Sequence, residues 1–290
     1  MLAKNYSNLA EFGTNPGELS AKYYLPKQQA NALIVLLHGC TQNGVELAKD
    51  SGLLFHAQIN NLALLVPQQS QKNNIQSCFN WFSPQDITKD EGETLSLKQM
   101  IEKTSQLAGT SDIFIVGLSA GGAMATNLLV HYPSLFKGGA SVAGVPFPCA
   151  DSLIKAISCM KTGPSSSVEE LASAIKTNKN NTIPKLSIWT GNEDQIVHPS
   201  NSSYMAKQWA KAYQLSMSPK TSTQYGSLSQ WKSSDGETQI ELIELDNFGH
   251  GLAVTDIGNG GGTAAPYLLK TSIGTVNKLM DYWKLKKTKI

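Results

Sequence analysis

Arginine is absent: all 24 cationic side chains other than histidine are lysine. That alone assigns no function. Charge of either sign is scarce, at 16% of the 290 residues, and the formal net charge is +2. The one basic run is Lys284-Leu285-Lys286-Lys287 near the tail, so nucleic acid is not an expected partner. No apolar stretch approaches the roughly 18–20 residues of a membrane span. The opening Met1-Leu2-Ala3-Lys4-Asn5-Tyr6 lacks the apolar core of a signal peptide. The chain is therefore either cytoplasmic or an exported protein whose leader has been removed. No His/Cys/Asp cluster has metal-ligand spacing and no CxxC pair occurs, so no metal is expected. Gly258–Gly262 lacks the strand–helix frame of a dinucleotide fingerprint, and no cofactor is expected.

Cysteine is sparse too, with Cys40, Cys78, Cys149 and Cys159. Four cysteines allow three pairings. Cys149 and Cys159 are close enough for a local staple, which would leave Cys40 and Cys78 as the second pair. Four buried thiols are the alternative.

Hydrophobic residues make up 41% of the chain, enough for a sizeable core and too many for a disordered segment. One domain over residues 1–290 is expected, without internal repeats. Phe12–Leu19 carries an Asn-Pro-Gly turn, and alternation through Tyr23-Tyr24-Leu25-Pro26 reads as a β-hairpin. Five short apolar runs follow: Leu33–Leu37, Leu62–Val66, Ile113–Val116, Leu186–Trp189 and Ile240–Leu245. Runs apolar on both faces suit interior strands of a parallel sheet. Helical patterns lie at Leu95–Leu107, Gly121–His131, Ser203–Tyr213 and Thr271–Leu285. Alternating strand and helix gives an α/β class, a mostly parallel central sheet with helices on both faces. Ile75–Glu93 and Ser218–Gly236 read as loop excursions, the first carrying Cys78, Trp81 and Phe82. Gly258–Gly262 reads as a flexible loop.

The strongest chemical signal is Gly117-Leu118-Ser119-Ala120-Gly121, a G-x-S-x-G between a strand and a helix. A sharp turn there presents the Ser119 hydroxyl, and the small flanking residues let backbone approach without Cβ clashes. The helix aims its N–H groups and positive dipole end at developing negative charge. A serine nucleophile needs a base, and the base needs an orienting acid. In this fold class the acid and then the base follow the serine. His250, in Phe248-Gly249-His250-Gly251 after the last strand, is placed for the base. His198 is the runner-up, His56 and His131 fall in helical patterns, and His38 occupies an oxyanion-loop position. Asp194 follows the strand at Leu186–Trp189 and is the choice for the acid. Glu193, Asp246 and Asp151 are weaker alternatives. A tetrahedral intermediate needs two donors, expected from the N–H groups of Ala120 and Cys40. A Cys40–Cys78 bridge would stiffen that loop and remove the thiol as a rival nucleophile.

Further motifs form a wider set: Phe12-Gly13-Thr14-Asn15-Pro16-Gly17, Leu37-His38-Gly39-Cys40-Thr41-Gln42, Cys78-Phe79-Asn80-Trp81-Phe82, Gly92-Glu93, Gly117–Met124, Ala143-Gly144-Val145-Pro146-Phe147 with Cys149-Ala150, Cys159-Met160, and Asp194 with Val197, Pro199 and Asn201. Through most of its length the chain resembles the extracellular poly(3-hydroxybutyrate) depolymerase and feruloyl/acetylxylan esterase group of α/β-hydrolases. The resemblance implies a Ser119–Asp194–His250 triad, disulfides Cys40–Cys78 and Cys149–Cys159, and export to a secreted or periplasmic location. Leu252 stands where the family usually has an aromatic after the histidine, and is expected to face substrate. No counterpart of the family's threonine-rich linker or appended binding domain is present, which favours soluble or amorphous ester over crystalline polymer.

The resulting expectation is a serine carboxylesterase acting on short-chain hydroxyalkanoate esters, poly- or oligo(3-hydroxybutyrate) first, with Trp81 and Phe82 walling the acyl chain. A carbohydrate esterase acting on acetylated or feruloylated polysaccharide is the alternative partner assignment. Leu37–Gln42 and Cys78–Phe82 look most like the polyester branch. From another class comes an inactive hydrolase-fold binding protein, which would usually have lost a triad member. Covalent labelling of Ser119 by a fluorophosphonate separates the two.

Overall fold

The computed structural model describes residues 6–175, 183–255 and 260–286. Six parallel strands form the centre of the sheet, in the order Ala63–Gln68, Leu33–Leu37, Ile113–Leu118, Gly138–Val142, Lys185–Gly191 and Thr238–Leu245. Ser20–Tyr24 and then Ser7–Asn8 add antiparallel at one edge. Gly226–Lys232 adds antiparallel at the other, carrying the short strands Ser216–Met217 and Thr221–Thr223.

The apolar runs explain the layering. Leu33, Val35 and Leu37 join one buried cluster with Leu97, Met100, Met124, Leu128, Met205 and Trp209. Ile34 and Leu36 join the opposite cluster with Leu47, Leu54, Ala57, Leu279 and Met280. Period-two alternation therefore feeds both sheet faces. Helices Gly92–Ala108, Ala120–His131 and Ser200–Ala212 cover one face; Gly44–Asp50, Leu53–Asn60 and Thr275–Tyr282 cover the other. Each buried Leu or Ile stabilises this arrangement by roughly 1.5–3 kcal/mol.

Two sequence expectations are corrected. Gly138–Val142 is an interior strand that no apolar run announced, because Gly-Gly-Ala-Ser-Val has little bulk. Small residues are required there: a Cβ on Gly139 would lie 2.4 Å from the Leu129 side chain. Ser218–Gly236, read as a loop, contains the strands Thr221–Thr223 and Gly226–Lys232. They are mostly serine, threonine and glutamine at a sheet edge, where one side meets water and long apolar runs are not needed. The loop excursion at Ile75–Glu93 holds one short helix, Pro84–Ile87. The hairpin is an antiparallel pair, Ser7–Asn8 on Ser20–Tyr24, joined by a long connection. Gly258 and Asn259 of the glycine-rich loop lie outside the described residues.

The topology locates the site. The chain runs from Leu33–Leu37 outward to Ala63–Gln68, then back to Ile113–Leu118 on the other side. Ligands in open α/β sheets bind beyond the strand C-termini at such a switch point. Leu37 lies opposite Gly117, so the turns carrying Cys40 and Ser119 are neighbours. Leu245 lies opposite Gly191, which brings the loops of Asp194 and His250 to the same end.

Candidate active site

Ser119 sits between strand Ile113–Leu118 and helix Ala120–His131 with φ 56° and ψ −118°. Such a backbone costs on the order of 1–3 kcal/mol and is held by its surroundings. The surroundings are tight: a Cβ on Gly117 would meet the Gly121 carbonyl oxygen at 2.1 Å, and one on Gly121 would meet the Leu37 carbonyl oxygen at 2.3 Å. Backbone has nowhere to retreat at either contact. Gly121→Ala is therefore expected to lose several kcal/mol of stability, about 3 or more. A denaturant melt checks it; a variant within 1 kcal/mol of wild type, on the order of a surface substitution, would contradict this packing.

The Ser119 Oγ lies 2.9 Å from His250 Nε2, and His250 Nδ1 lies 2.7 Å from Asp194 Oδ2. The other Asp194 oxygen accepts from the backbone N–H groups of Ile196 (2.8 Å) and Val197 (2.9 Å). The carboxylate is buried and locked by three donors, which fixes the imidazole with Nδ1–H toward Asp194 and Nε2 free to take a proton. The Glu193 N–H donates to the Phe248 carbonyl, tying the acid loop to the base loop.

The other assignments separate clearly. Glu193 is exposed, and Asp246 accepts from Asn192 away from the serine. Asp151 is an exposed partner of Lys155. His198 bonds Ser200, His56 bonds Asn277, and His131 reaches the Ile87 carbonyl. Among the described residues no group of three or more His, Cys, Asp or Glu side chains is arranged to hold a metal ion. No helix of the described residues is long and apolar enough to cross a membrane.

His38 is wholly buried and structural. Its Nδ1–H donates to the Gly39 carbonyl (2.7 Å), and its Nε2 accepts from the Gln69 N–H (3.1 Å). Burial pushes its pKa down, keeping the ring neutral. The Gln42 N–H also reaches the Gly39 carbonyl. A trans peptide points C=O and N–H to opposite sides, so pinning the Gly39 oxygen turns the Cys40 N–H the other way. Among the described residues neither the Cys40 nor the Ala120 N–H has a hydrogen-bond partner. Both residues, with Ser119, border one recess.

Cys40–Cys78 and Cys149–Cys159 are both disulfides. A cleft of about 250 Å³ opens over Ser119 and His250, walled by Thr41, Gln76, Met160, Ile196 and Tyr267. Beneath it the recess of about 30 Å³ adds Trp81, Val145 and Val197. Trp81 thus borders the reacting centre. Phe82 stands behind it, edge-to-face at 5.5 Å, and does not line the recess. Leu252 departs from expectation: it is 1% exposed, in strand Leu252–Val254, packed into the core. Its strand turns the side chain inward, and Tyr267 takes the place beside the base, edge-to-face to His250 at 6.0 Å. Tyr267 was not foreseen; it follows a glycine-rich loop and no motif marks it. Glu93 was also missed as a polar anchor beneath the loop. It is wholly buried, and that burial pushes its pKa up to about 8.

Comparison with known proteins decides the family. The description "Esterase PHB depolymerase" belongs to a family model matching residues 19–217. The chain belongs to this family. It is 36% identical to poly(3-hydroxyalkanoate) depolymerase C of Paucimonas lemoignei, over 92% of this chain and 67% of that protein. It is 25% identical to acetylxylan esterase A of Aspergillus oryzae, over 87% and 86%. The solved acetyl xylan esterase from Aspergillus awamori superposes with a TM-score of 0.77 at 20% identity, covering 97% of this chain and all of that one. The fold is that of α/β-hydrolases, and the protein is a carboxylic ester hydrolase of the polyhydroxybutyrate depolymerase and acetylxylan esterase type.

Proposed function

We propose that this esterase works through Ser119, His250 and Asp194, and that its substrate is a poly- or oligo(3-hydroxybutyrate) ester. The observation that carries the mechanism is the unbroken hydrogen-bonded line from Ser119 through His250 to Asp194, beside two unpartnered N–H groups. His250 Nε2 takes the Ser119 proton as Oγ bonds to the ester carbonyl carbon. The carbonyl π pair moves onto oxygen, which the N–H groups of Cys40 and Ala120 receive. The intermediate collapses, the ester C–O bond breaks, and His250 returns the proton to the leaving alcohol. Water repeats the sequence on the acyl-enzyme and frees Ser119. Asp194 stabilises the transient imidazolium.

The substrate reading rests on the greater identity to the polyhydroxyalkanoate depolymerase. The recess of about 30 Å³ holds roughly two or three heavy atoms, which suits a short acyl group in general and does not separate a hydroxybutyrate from an acetate ester. One observation favours the second reading, an acetylated polysaccharide. Beside the cleft, a groove of about 170 Å³ is lined by Thr41, Gln42, Asn43, Glu46 and Asp50 with Tyr267. Leu47, Pro266 and Leu268 also line it, and the polar side chains among them suit a hydroxyl-rich alcohol. The two disulfides fit an oxidising compartment, and the protein is proposed to be exported.

The test runs p-nitrophenyl acetate, butyrate and octanoate beside clearing of amorphous poly(3-hydroxybutyrate) and acetate release from acetylated xylan. Acetate and butyrate are expected to exceed octanoate by about tenfold or more in kcat/KM, since each excluded methylene is worth roughly 1 kcal/mol or more. Trp81→Ala should narrow that gap by enlarging the recess. Clearing supports the polyester. Acetate release without clearing transfers the assignment to the polysaccharide, and equal rates on all three chain lengths would contradict the recess as acyl pocket.

A further inference from the structure

The Cys40 N–H is useful only while its peptide keeps one orientation, and the structure grips that peptide from two directions. Both grips begin at Glu93, in the first turn of helix Gly92–Ala108. Its Oε1 accepts from Gln69 Nε2 (2.5 Å) and from Asn80 Nδ2 (2.8 Å), and its Oε2 accepts from the Asn80 N–H (2.9 Å). The orientation of the Gln69 amide is fixed independently, because its oxygen accepts from the Ser70 N–H at 2.8 Å. Every side-chain partner of the carboxyl is therefore a donor, and these donors work against the upward push that burial and Asp86 exert on its pKa.

From Gln69 the first path continues through its own N–H to His38 Nε2, and through His38 Nδ1–H to the Gly39 carbonyl. That carbonyl belongs to the peptide whose other end is the Cys40 N–H. From Asn80 the second path runs two residues back along the chain to Cys78, whose sulfur is bonded to Cys40. Phe79 packs on the His38 ring at 4.9 Å and ties the paths together. Asp86 is the charged neighbour, accepting from the Glu93 N–H at 3.3 Å. A buried carboxyl group set between a protein's helix and its loop, with no surface role, is a costly group to retain.

We propose that Glu93 is a positioning residue for the oxyanion hole, holding the Cys40 N–H through His38 on one side and through the Cys78 disulfide on the other. The inference rests on the esterase mechanism proposed above. Glu93 does not touch substrate. It stiffens a donor that stabilises charge only as the tetrahedral intermediate forms, so its loss should appear in kcat rather than in KM.

Two variants of the full chain test this. Glu93→Gln keeps the side-chain volume but sets an amide donor against neighbours that are all donors. His38→Phe keeps a ring on Phe79 and removes both hydrogen bonds to the loop. Each is assayed with p-nitrophenyl butyrate, and with a trifluoromethyl ketone whose Ser119 adduct carries an oxyanion. In folded variants kcat should fall about 10- to 100-fold with KM little changed, short of the full loss of one oxyanion donor. Ketone affinity should fall by the same factor. If Glu93→Gln does not fold, His38→Phe decides. Wild-type kcat and ketone affinity in a folded variant would overturn the proposal, as would a loss confined to thermal stability or KM. An inert wild type would instead overturn the esterase mechanism and this inference with it, so the two failures are distinct.

Discussion

Ser119→Ala is expected to lower kcat on p-nitrophenyl butyrate by roughly 10³-fold or more while the protein stays folded. The Ser119 Oγ is the group that His250 Nε2 reaches at 2.9 Å, and both cysteines near it are oxidised. No thiol can replace it. The alanine leaves His250, Asp194 and the two N–H donors in place, so a residual rate above water should persist, carried by binding and by the oxyanion site. Removing Oγ also relieves nothing in the backbone, since φ 56° is imposed by the close contacts of Gly117 and Gly121. Thermal stability should therefore move little. Asp194→Asn should cost a comparable factor, about 10⁴, by offering an amide where the imidazole needs a carboxylate. Turnover in Ser119→Ala within tenfold of wild type, roughly 1.4 kcal/mol, would show that another group attacks the ester.

The second large effect concerns Cys40–Cys78. This bridge spans 38 residues in sequence and the other spans 10. By chain entropy alone the longer loop stabilises by roughly 4 kcal/mol and the shorter by roughly 3. Removing the longer bridge as Cys40→Ala with Cys78→Ala should lower Tm by roughly 10 °C. It should also lower kcat, because it frees the loop that presents the residue-40 N–H. Removing Cys149 and Cys159 should cost less stability. It should spare kcat more, since that bridge braces helix Leu153–Thr162 at the cleft wall and carries no donor. Paired melting curves and steady-state rates distinguish these outcomes. Equal effects of the two bridges on kcat would contradict the special role of the longer one.

Much of this was legible in the sequence, for identifiable reasons. Ser119, Asp194 and His250 each follow a short apolar run, and a parallel sheet sends the ends of such runs to one side. The G-x-S-x-G marks a backbone conformation that only its small neighbours permit. The proposed donors Cys40 and Ala120 are chosen from position alone, because backbone donors need only the right peptide in the right turn. Side-chain direction was less accessible. Leu252 points into the core instead of toward substrate because strand Leu252–Val254 buries its residues, a fact set by pairing with Leu268–Lys270, and Tyr267, which no motif marks, stands beside the base instead. Glu93 reads in sequence as the end of the loop excursion Ile75–Glu93; that it faces inward depends on Gln69 and Asn80, which meet it only in the fold. Gly138–Val142 was hidden because tight packing there demands small residues, which apolar periodicity does not count.

The most direct measurement of the central claim is trapping the acyl-enzyme. Wild-type protein is mixed with p-nitrophenyl butyrate, quenched in acid during turnover, and its intact mass and peptide map are recorded. A single butyryl adduct on the peptide containing Ser119, absent from Ser119→Ala, is the predicted result. Turnover with no adduct, or with the adduct on another residue, would contradict the proposed mechanism.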